Sequence, residues 1–307
     1  MPIQVIADTG CDLPQTWLNR HGIPCLPGVI RHRGYRHNIQ TYYDSRDDTF
    51  SRWLHDNGYL LRGTDISTDA PGEEYLISWA HEHCDPNSEC FTITLDGSIT
   101  NGLANWTRSS RKWSKETGGI CIVFDSKTAL SGQGLIVWAA IDLIKKHPGI
   151  TGPQLADLLR PIADSQTTLI IVKDLSIMIN RGAQKLKLPA LKKFANLAVK
   201  ISKRYPIFKS HVGFFKHLEA ANYESAVARV LSDTCELIEQ GRLEIPVVVV
   251  SYAISDVVEI DYYREFRRLR ELCSENLIDL QVSRMSNAGA INLGQGALSI
   301  SYLTSKT

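Results

Sequence analysis

The side chains best suited to chemistry in this chain are hydroxyls, and they recur in short clusters. Thr9 stands alone. Thr64, Ser67 and Thr68 lie in Gly-Thr-Asp-Ile-Ser-Thr-Asp, Thr94, Ser98 and Thr100 in Thr-Leu-Asp-Gly-Ser-Ile-Thr, and Ser126 in Phe-Asp-Ser-Lys. A neutral hydroxyl donates a hydrogen bond without adding charge, so several that converge can hold a carboxylate or a phosphate. Any one of them alone reads equally as a helix N-cap.

Other constellations are weaker. Asp8-Thr9-Gly10 spells the triplet of aspartic proteases, but a single-chain bilobal protease needs two such triplets in all-β lobes, and this triplet occurs once. An aspartate capping a loop is the preferred reading. His81, His83, Cys84 and Cys90 have zinc-like chemistry; on a helix, however, His83 points away from the face shared by His81 and Cys84, and no second close pair follows. No metal or cofactor is expected. Walker, Gly-x-Gly-x-x-Gly and Gly-x-Ser-x-Gly patterns are missing, and no base falls in a matched motif. Asn292-Leu293-Gly294-Gln295-Gly296 is either a turn or a place where backbone approaches a ligand closely.

The elements that must position these groups alternate. Pro2 to Ala7, Cys90 to Leu95 and Ile120 to Phe124 are compact apolar runs, each followed by a polar cluster and a helical pattern. That order predicts a parallel sheet with helices on its faces, whose strand ends are where ligands gather. Thr151 followed by Pro153 marks a helix start, and a domain boundary is placed between 149 and 165. Beyond it, strands are expected at Thr168–Val172, Leu197–Ser202, Val247–Ser251, Asp279–Arg284 and Ala297–Leu303, with helices over Tyr223–Gln240 and Tyr262–Cys273.

At 307 residues the chain is long enough for about two domains. Its 43% hydrophobic and 22% charged residues exclude collagen-like, coiled-coil and disordered classes. A net charge of +1 gives no whole-molecule attraction to nucleic acid or membrane. Seven cysteines without a CxxC pair suggest a reducing cytoplasm, and no run is long enough for a spanning helix or a signal peptide.

Taken in order, these segments resemble the DegV family of bacterial fatty-acid-binding proteins over nearly the whole chain. Val5 to Pro14 resembles the family's opening Asp-Ser-x-x-Asp-Leu-Pro. Ser67-Thr68-Asp69-Ala70-Pro71 stands where the family has Thr-Ser-Gln-Pro-Ser. Thr94 to Thr100 resembles its Ser-Ser-x-Leu-Ser-Gly-Thr, and Asp125-Ser126 with Ser131-Gly132-Gln133-Gly134 its Asp-Ser and downstream Gly-x-Gly.

The resemblance implies an α/β protein of two domains. An N-terminal Rossmann-like α/β/α domain would span 1–158 and a C-terminal two-layer α/β domain with a mixed sheet 159–307, with a long-chain fatty acid between them. It implies head-group contacts from Ser67, Thr68, Thr94, Ser98 and Thr100, with Thr9, Arg181 and Asn292 nearby. It also implies a carrier without catalysis of its own that presents the acid to a separate kinase. Two departures stand out: Arg181-Gly182-Ala183-Gln184 replaces a Gly-Gly-Arg turn, and Asn292-Leu293-Gly294-Gln295-Gly296 replaces His-x-Gly-Pro-Gly. The head-group site is therefore expected to be less positive than is usual in the family, since asparagine cannot become a cation. Two other readings are a small-substrate enzyme at the same crevice and a lipid-sensing interaction adaptor.

The near-neutral total conceals one basic segment. From Leu175 to Leu218 there are ten Lys and Arg and no Asp or Glu, interleaved with Phe194, Tyr205, Phe208, Phe214 and Phe215. Such a surface suits an acidic protein partner or transient membrane contact over 181–216, with nucleic acid the weakest of its candidate partners. The plain alternative is a solvated face.

Overall fold

The computed structural model describes residues 1–33, 39–44, 48–57, 65–178, 181, 205–211, 214–253 and 258–305. The first half runs β1 (Ile3–Asp8), a 3₁₀ turn (Thr9–Cys11), α1 (Gln15–Arg20), β2 (Cys25–Leu26), β3 (Gly28–Arg33), β4 (Ile39–Asp44), α2 (Asp48–Asp56), β5 (Ile66–Asp69) and α3 (Glu73–His83). It continues with β6 (Glu89–Thr94), α4 (Gly102–Thr117), β7 (Ile120–Asp125), α5 (Ser131–Lys146) and α6 (Gly152–Ser165). Then come β8 (Thr167–Ile171), β9 (Tyr205–His211), β10 (Phe214–Ala220), α7 (Tyr223–Glu239), β11 (Val247–Tyr252), α8 (Val258–Asp261), α9 (Arg264–Glu275), β12 (Asp279–Arg284), α10 (Asn287–Leu293) and β13 (Leu298–Tyr302). The strand expected at Leu197–Ser202 lies outside the described residues.

Three sheets result. β2-β1-β6-β7 is wholly parallel, with Val5 opposite Phe91 and Phe91 opposite Ile122. β10-β9-β8-β13-β11-β12 is mixed: β11 and β12 run parallel, and the other neighbours antiparallel. β4-β3-β5 is a small antiparallel sheet. β11, Val-Val-Val-Val-Ser-Tyr, is buried at every position, as a strand covered on both faces must be.

The layers follow from which faces are apolar. α3 and α4 cover one face of the parallel sheet through Leu76, Trp79, Trp106 and Trp113. α7 and α9 cover the outer face of the mixed sheet through Val227, Val230, Phe266 and Leu269. Between the sheets lies α5, whose Leu135, Ile136 and Val137 share one core with Val5 and Phe91 of the first sheet and Val247 and Val249 of the second. Gly134 makes this close stacking feasible, because a Cβ there would strike the Cys11 carbonyl oxygen. α6 begins in a reciprocal cap between Thr151 and Gln154 and packs on α5, β6 and β7.

Candidate ligand site

Chain order places two strand ends side by side at the centre of the parallel sheet. From β1 the chain leaves toward β2, whereas β6 leads to β7 on the other side, so the gap between β1 and β6 is the switch point where open α/β sheets form a crevice. Asp8 closes it. One carboxylate oxygen accepts from Gly10 N at 2.9 Å and the other from Leu95 N at 2.7 Å. The expected loop-capping role of Asp8 is therefore what the geometry shows. Burial pushes its pKa up to about 6, with the neighbouring Asp12 charge adding to the effect and the backbone donors opposing it. Burial raises Asp125 as well, and Asp96 adds to that shift.

The hydroxyls of this crevice are engaged locally. Thr94 is buried and donates to the Phe124 carbonyl at 3.4 Å. Thr100 accepts from Gly102 N at 3.3 Å where α4 begins. Ser98 is exposed, and its backbone N–H donates to Asp96 at 2.7 Å. Asp8, Asp96 and Asp125 lie at the same end of the sheet.

A second group forms at β5. Ile66 and Thr68 are buried while Ser67 and Asp69 are exposed, the alternation of a strand with one face covered. Ser67 and Thr68 thus lie on opposite faces and do not converge on one ligand atom. Thr68 Oγ1 accepts from Asn292 Nδ2 at 3.0 Å, and the same nitrogen donates to the Ala288 carbonyl at 2.7 Å. Arg181 reaches the strand from the far half of the chain, its Nη1 donating to the Ile66 carbonyl at 2.6 Å. Its guanidinium is half-buried, which lowers its pKa from the ordinary value. Arg181, from the segment that replaces the Gly-Gly-Arg turn, is thus brought to the strand that carries Thr68.

Beneath this trio lies a separate apolar cluster that takes residues from both halves. Ile30, Leu54, Ile66 and Leu130 meet Val172, Ile177, Met178, Phe208, Met285 and Ile291, with Phe50 and Trp53 at its rim. Polar groups at one edge and a continuous apolar interior are what an amphiphile requires.

Asn292 is positioned by α10, which is anchored at its start. Ser286 caps it by accepting from Gly289 N at 3.2 Å. Asp12, itself in a left-handed conformation with φ 45°, accepts from Ser286 N at 2.8 Å, while its carbonyl accepts from the Ser283 hydroxyl. Asp44 holds the first turn with both oxygens, accepting from Asn287 Nδ2 at 3.0 Å and Ala288 N at 3.1 Å. Thr9 supports the same junction: its Oγ1 accepts from Gly28 N at 3.1 Å, and Gly28 lies against Asp44 and Ala288. Past Asn292 the helix stops at Gly294, φ 88°, and a second left-handed glycine, Gly296 at φ 74°, leads toward β13. Asp44 and Asn287 carried no signal in the sequence; Asp12 did, within Asp-Leu-Pro.

The remaining candidates have other partners. His81 pairs with Glu116 at 2.9 Å, and His83 stacks on Trp79 with its Nδ1 2.9 Å from that residue's carbonyl. Among the described residues no group of three or more His, Cys, Asp or Glu is arranged to hold a metal. Most of the basic segment lies outside the described residues. Phe208, counted among its surface aromatics, is buried in the apolar cluster instead, because β9 turns it inward beside Ile170. No helix among the described residues is long and apolar enough to cross a membrane.

A family model described as "Uncharacterised protein, DegV family" matches residues 2–305. The chain belongs to the DegV family. A DegV domain-containing protein of Xanthomonas axonopodis pv. citri is 23% identical, with 98% of this chain and 97% of that protein covered. Two solved DegV-fold structures are similar throughout. The Bacillus subtilis DegV, described as a fatty acid binding protein, superposes with a TM-score of 0.74 at 19% identity, covering 99% of this chain and 100% of that one. The Streptococcus pneumoniae fatty acid kinase B3 protein, loaded with linoleic acid, gives 0.73 at 17% identity with the same coverage. The fold is the DegV fold, with its parallel and mixed sheets.

Proposed function

We propose that this DegV-family chain binds a long-chain fatty acid, with the carboxylate at Thr68, Asn292 and Arg181 and the tail in the apolar cluster below them. The observation that carries this reading is the Thr68–Asn292 hydrogen bond, set beside Arg181 and directly over an apolar interior drawn from both halves. Burying about 14 methylenes at ~0.8 kcal/mol each yields on the order of 11 kcal/mol gross, so the tail dominates affinity. The head group needs only enough hydrogen bonds to offset its desolvation. In this reading Thr94, Ser98 and Thr100 shape the neighbouring loop, and Thr9 acts as scaffold.

The division into 1–158 and 159–307, with the lipid between, belongs to the same proposal, as does a cytoplasmic carrier without catalysis of its own. Presentation of the acid to a separate kinase draws support from the pneumococcal protein, which is named as a fatty acid kinase component. Native mass spectrometry of gently extracted protein, before and after organic extraction, tests the binding. An extractable mass of a C16 to C18 acid at one per chain is expected; repeated lipid-free preparations from a lipid-replete host would overturn it.

A further inference from the structure

A cavity of about 340 Å³ opens between the last turn of α1, the outer face of α5 and strand β12. Its walls share no residue with the Thr68–Asn292 group. The apolar side is made by the indoles of Trp17 and Trp138 with Ile141. The polar side is unevenly satisfied.

Two carboxylates line the cavity, and both are already engaged. Asp279 accepts from Trp138 Nε1 at 2.6 Å and from Gln281 Nε2 at 2.5 Å, while Asp142 pairs with Lys146 at 2.7 Å. Trp138 and Gln281 are neutral donors, so Asp279 keeps its charge; set against it are two cations with no carboxylate partner among the described residues. His21 Nδ1 lies 2.9 Å from the Trp17 carbonyl, so that nitrogen holds the proton and Nε2 is left as an acceptor. Lys145 Nζ donates to it at 3.2 Å. The imidazole thus orients Lys145 without bringing a negative charge to neutralise it. Arg20 also faces the cavity and makes no ion pair among the described residues. A cation in the last turn complements each helix dipole. That explains a basic residue at either helix end, but not the convergence of both on one indole-walled cavity.

We propose that this cavity is a second ligand site, for a small flat organic anion of the aryl carboxylate class. The carboxylate bridges the Arg20 guanidinium and the Lys145 ammonium, and the ring lies against Trp138 and Ile141. The guanidinium fork matches a carboxylate edge, and the indole offers an apolar face to a flat body. The inference stands apart from fatty-acid binding, because the two sites share no wall.

The test is titration of 1-naphthoate into the full chain, followed by calorimetry and indole fluorescence, on protein as purified and on protein pre-incubated with oleate. One-to-one saturable binding is expected in both, with Arg20→Gln/Lys145→Gln and the neutral isostere 1-naphthalenemethanol each weaker by about tenfold or more. Fatty-acid content of the double variant, read by native mass spectrometry, should equal that of the parent and shows that the variant is folded. Absence of saturation up to about 1 mM would overturn the proposal. So would unchanged affinity in the double variant, displacement of naphthoate by oleate, or inorganic phosphate competing as strongly as naphthoate.

Discussion

Asn292 donates to the Thr68 hydroxyl at 3.0 Å, joining the penultimate residue of α10 to the middle of β5 across 224 positions of sequence. The amide also holds the Ala288 carbonyl of its own helix, so both of its hydrogens are engaged within the protein. In the proposed site the asparagine therefore acts by holding Thr68 in place. Asn292→Ala and Thr68→Val should each weaken binding of a fluorescent fatty acid by about three- to tenfold. The double variant should be no worse than the weaker single one, because the two residues act as one unit. Strictly additive losses in a displacement assay would separate them.

Arg181 is the cation of the proposed head-group site, and its Nη1 donates to the Ile66 carbonyl. Arg181→Gln should reduce affinity for palmitate by about tenfold while leaving affinity for the uncharged methyl ester nearly unchanged. Equal losses for acid and ester would show that the residue only packs.

Asp44 should matter at a distance. Removing its carboxylate takes away the acceptor that buried Asn287 and the Ala288 backbone share at the start of α10. Asp44→Ala is expected to cost about 2–4 kcal/mol in urea unfolding. It should also lower fatty-acid affinity through displacement of α10. A stability change below about 0.5 kcal/mol would remove Asp44 from this role.

How far the sequence discloses the molecule can be seen from these same residues. β1, β6, β7 and β11 stand out as apolar runs and β12 and β13 as alternating ones, and Thr151 with Pro153 announces α6, since each signal is local. The small sheet is different: β3 reads Gly-Val-Ile-Arg-His-Arg and buries only Val29 and Ile30, and β2 is two residues long. Neither presents a pattern distinct from a loop. Helix α10 is Asn-Ala-Gly-Ala-Ile-Asn-Leu, only seven residues with a glycine and two asparagines among them; Asp12 and Asp44 bond its start from more than 240 positions away. Hydroxyl motifs located Thr68, but only strand alternation separates it from Ser67, and only the three-dimensional structure shows Thr94 facing Phe124.

Asp8 gives the stability a pH dependence with a definite sign. Its folded pKa, about 6, lies above the ordinary carboxyl value of 3.8. The folded chain therefore binds more protons than the unfolded one between those values. The stabilisation is fully present below the lower value and is lost as pH rises through about 6. The loss is on the order of 3 kcal/mol. Asp8→Asn cannot ionise, so its urea midpoint should fall less than the parent's between pH 4 and 6.5, although it starts lower because one backbone donor loses its acceptor. Parallel profiles would contradict the assignment.

Gly134→Ala places a methyl group against the Cys11 carbonyl oxygen, with Leu13 and Val249 also close. The gain in helix propensity, about 1 kcal/mol, opposes a packing cost of about 1–3 kcal/mol. The obstacle is backbone, which cannot rotate aside, so the packing cost should prevail and the melting temperature should drop by several degrees. A rise in melting temperature would mean that the inter-sheet spacing relaxes easily.

α5 has a consequence for any attempt to divide the chain. Its side chains complete the interior of the parallel sheet and of the mixed sheet together, and Val247, Val249 and Leu303 lie in the same core as Val5 and Phe91. A fragment ending at residue 158 would keep α5 but present Ser131, which bonds Ser299 and Ser301, and Leu135 one turn further on to water; the complementary fragment would lack the cover for β11 and β13. Two pieces that look autonomous on a topology diagram should neither fold separately nor melt separately. Calorimetry on the intact chain should accordingly record one cooperative transition.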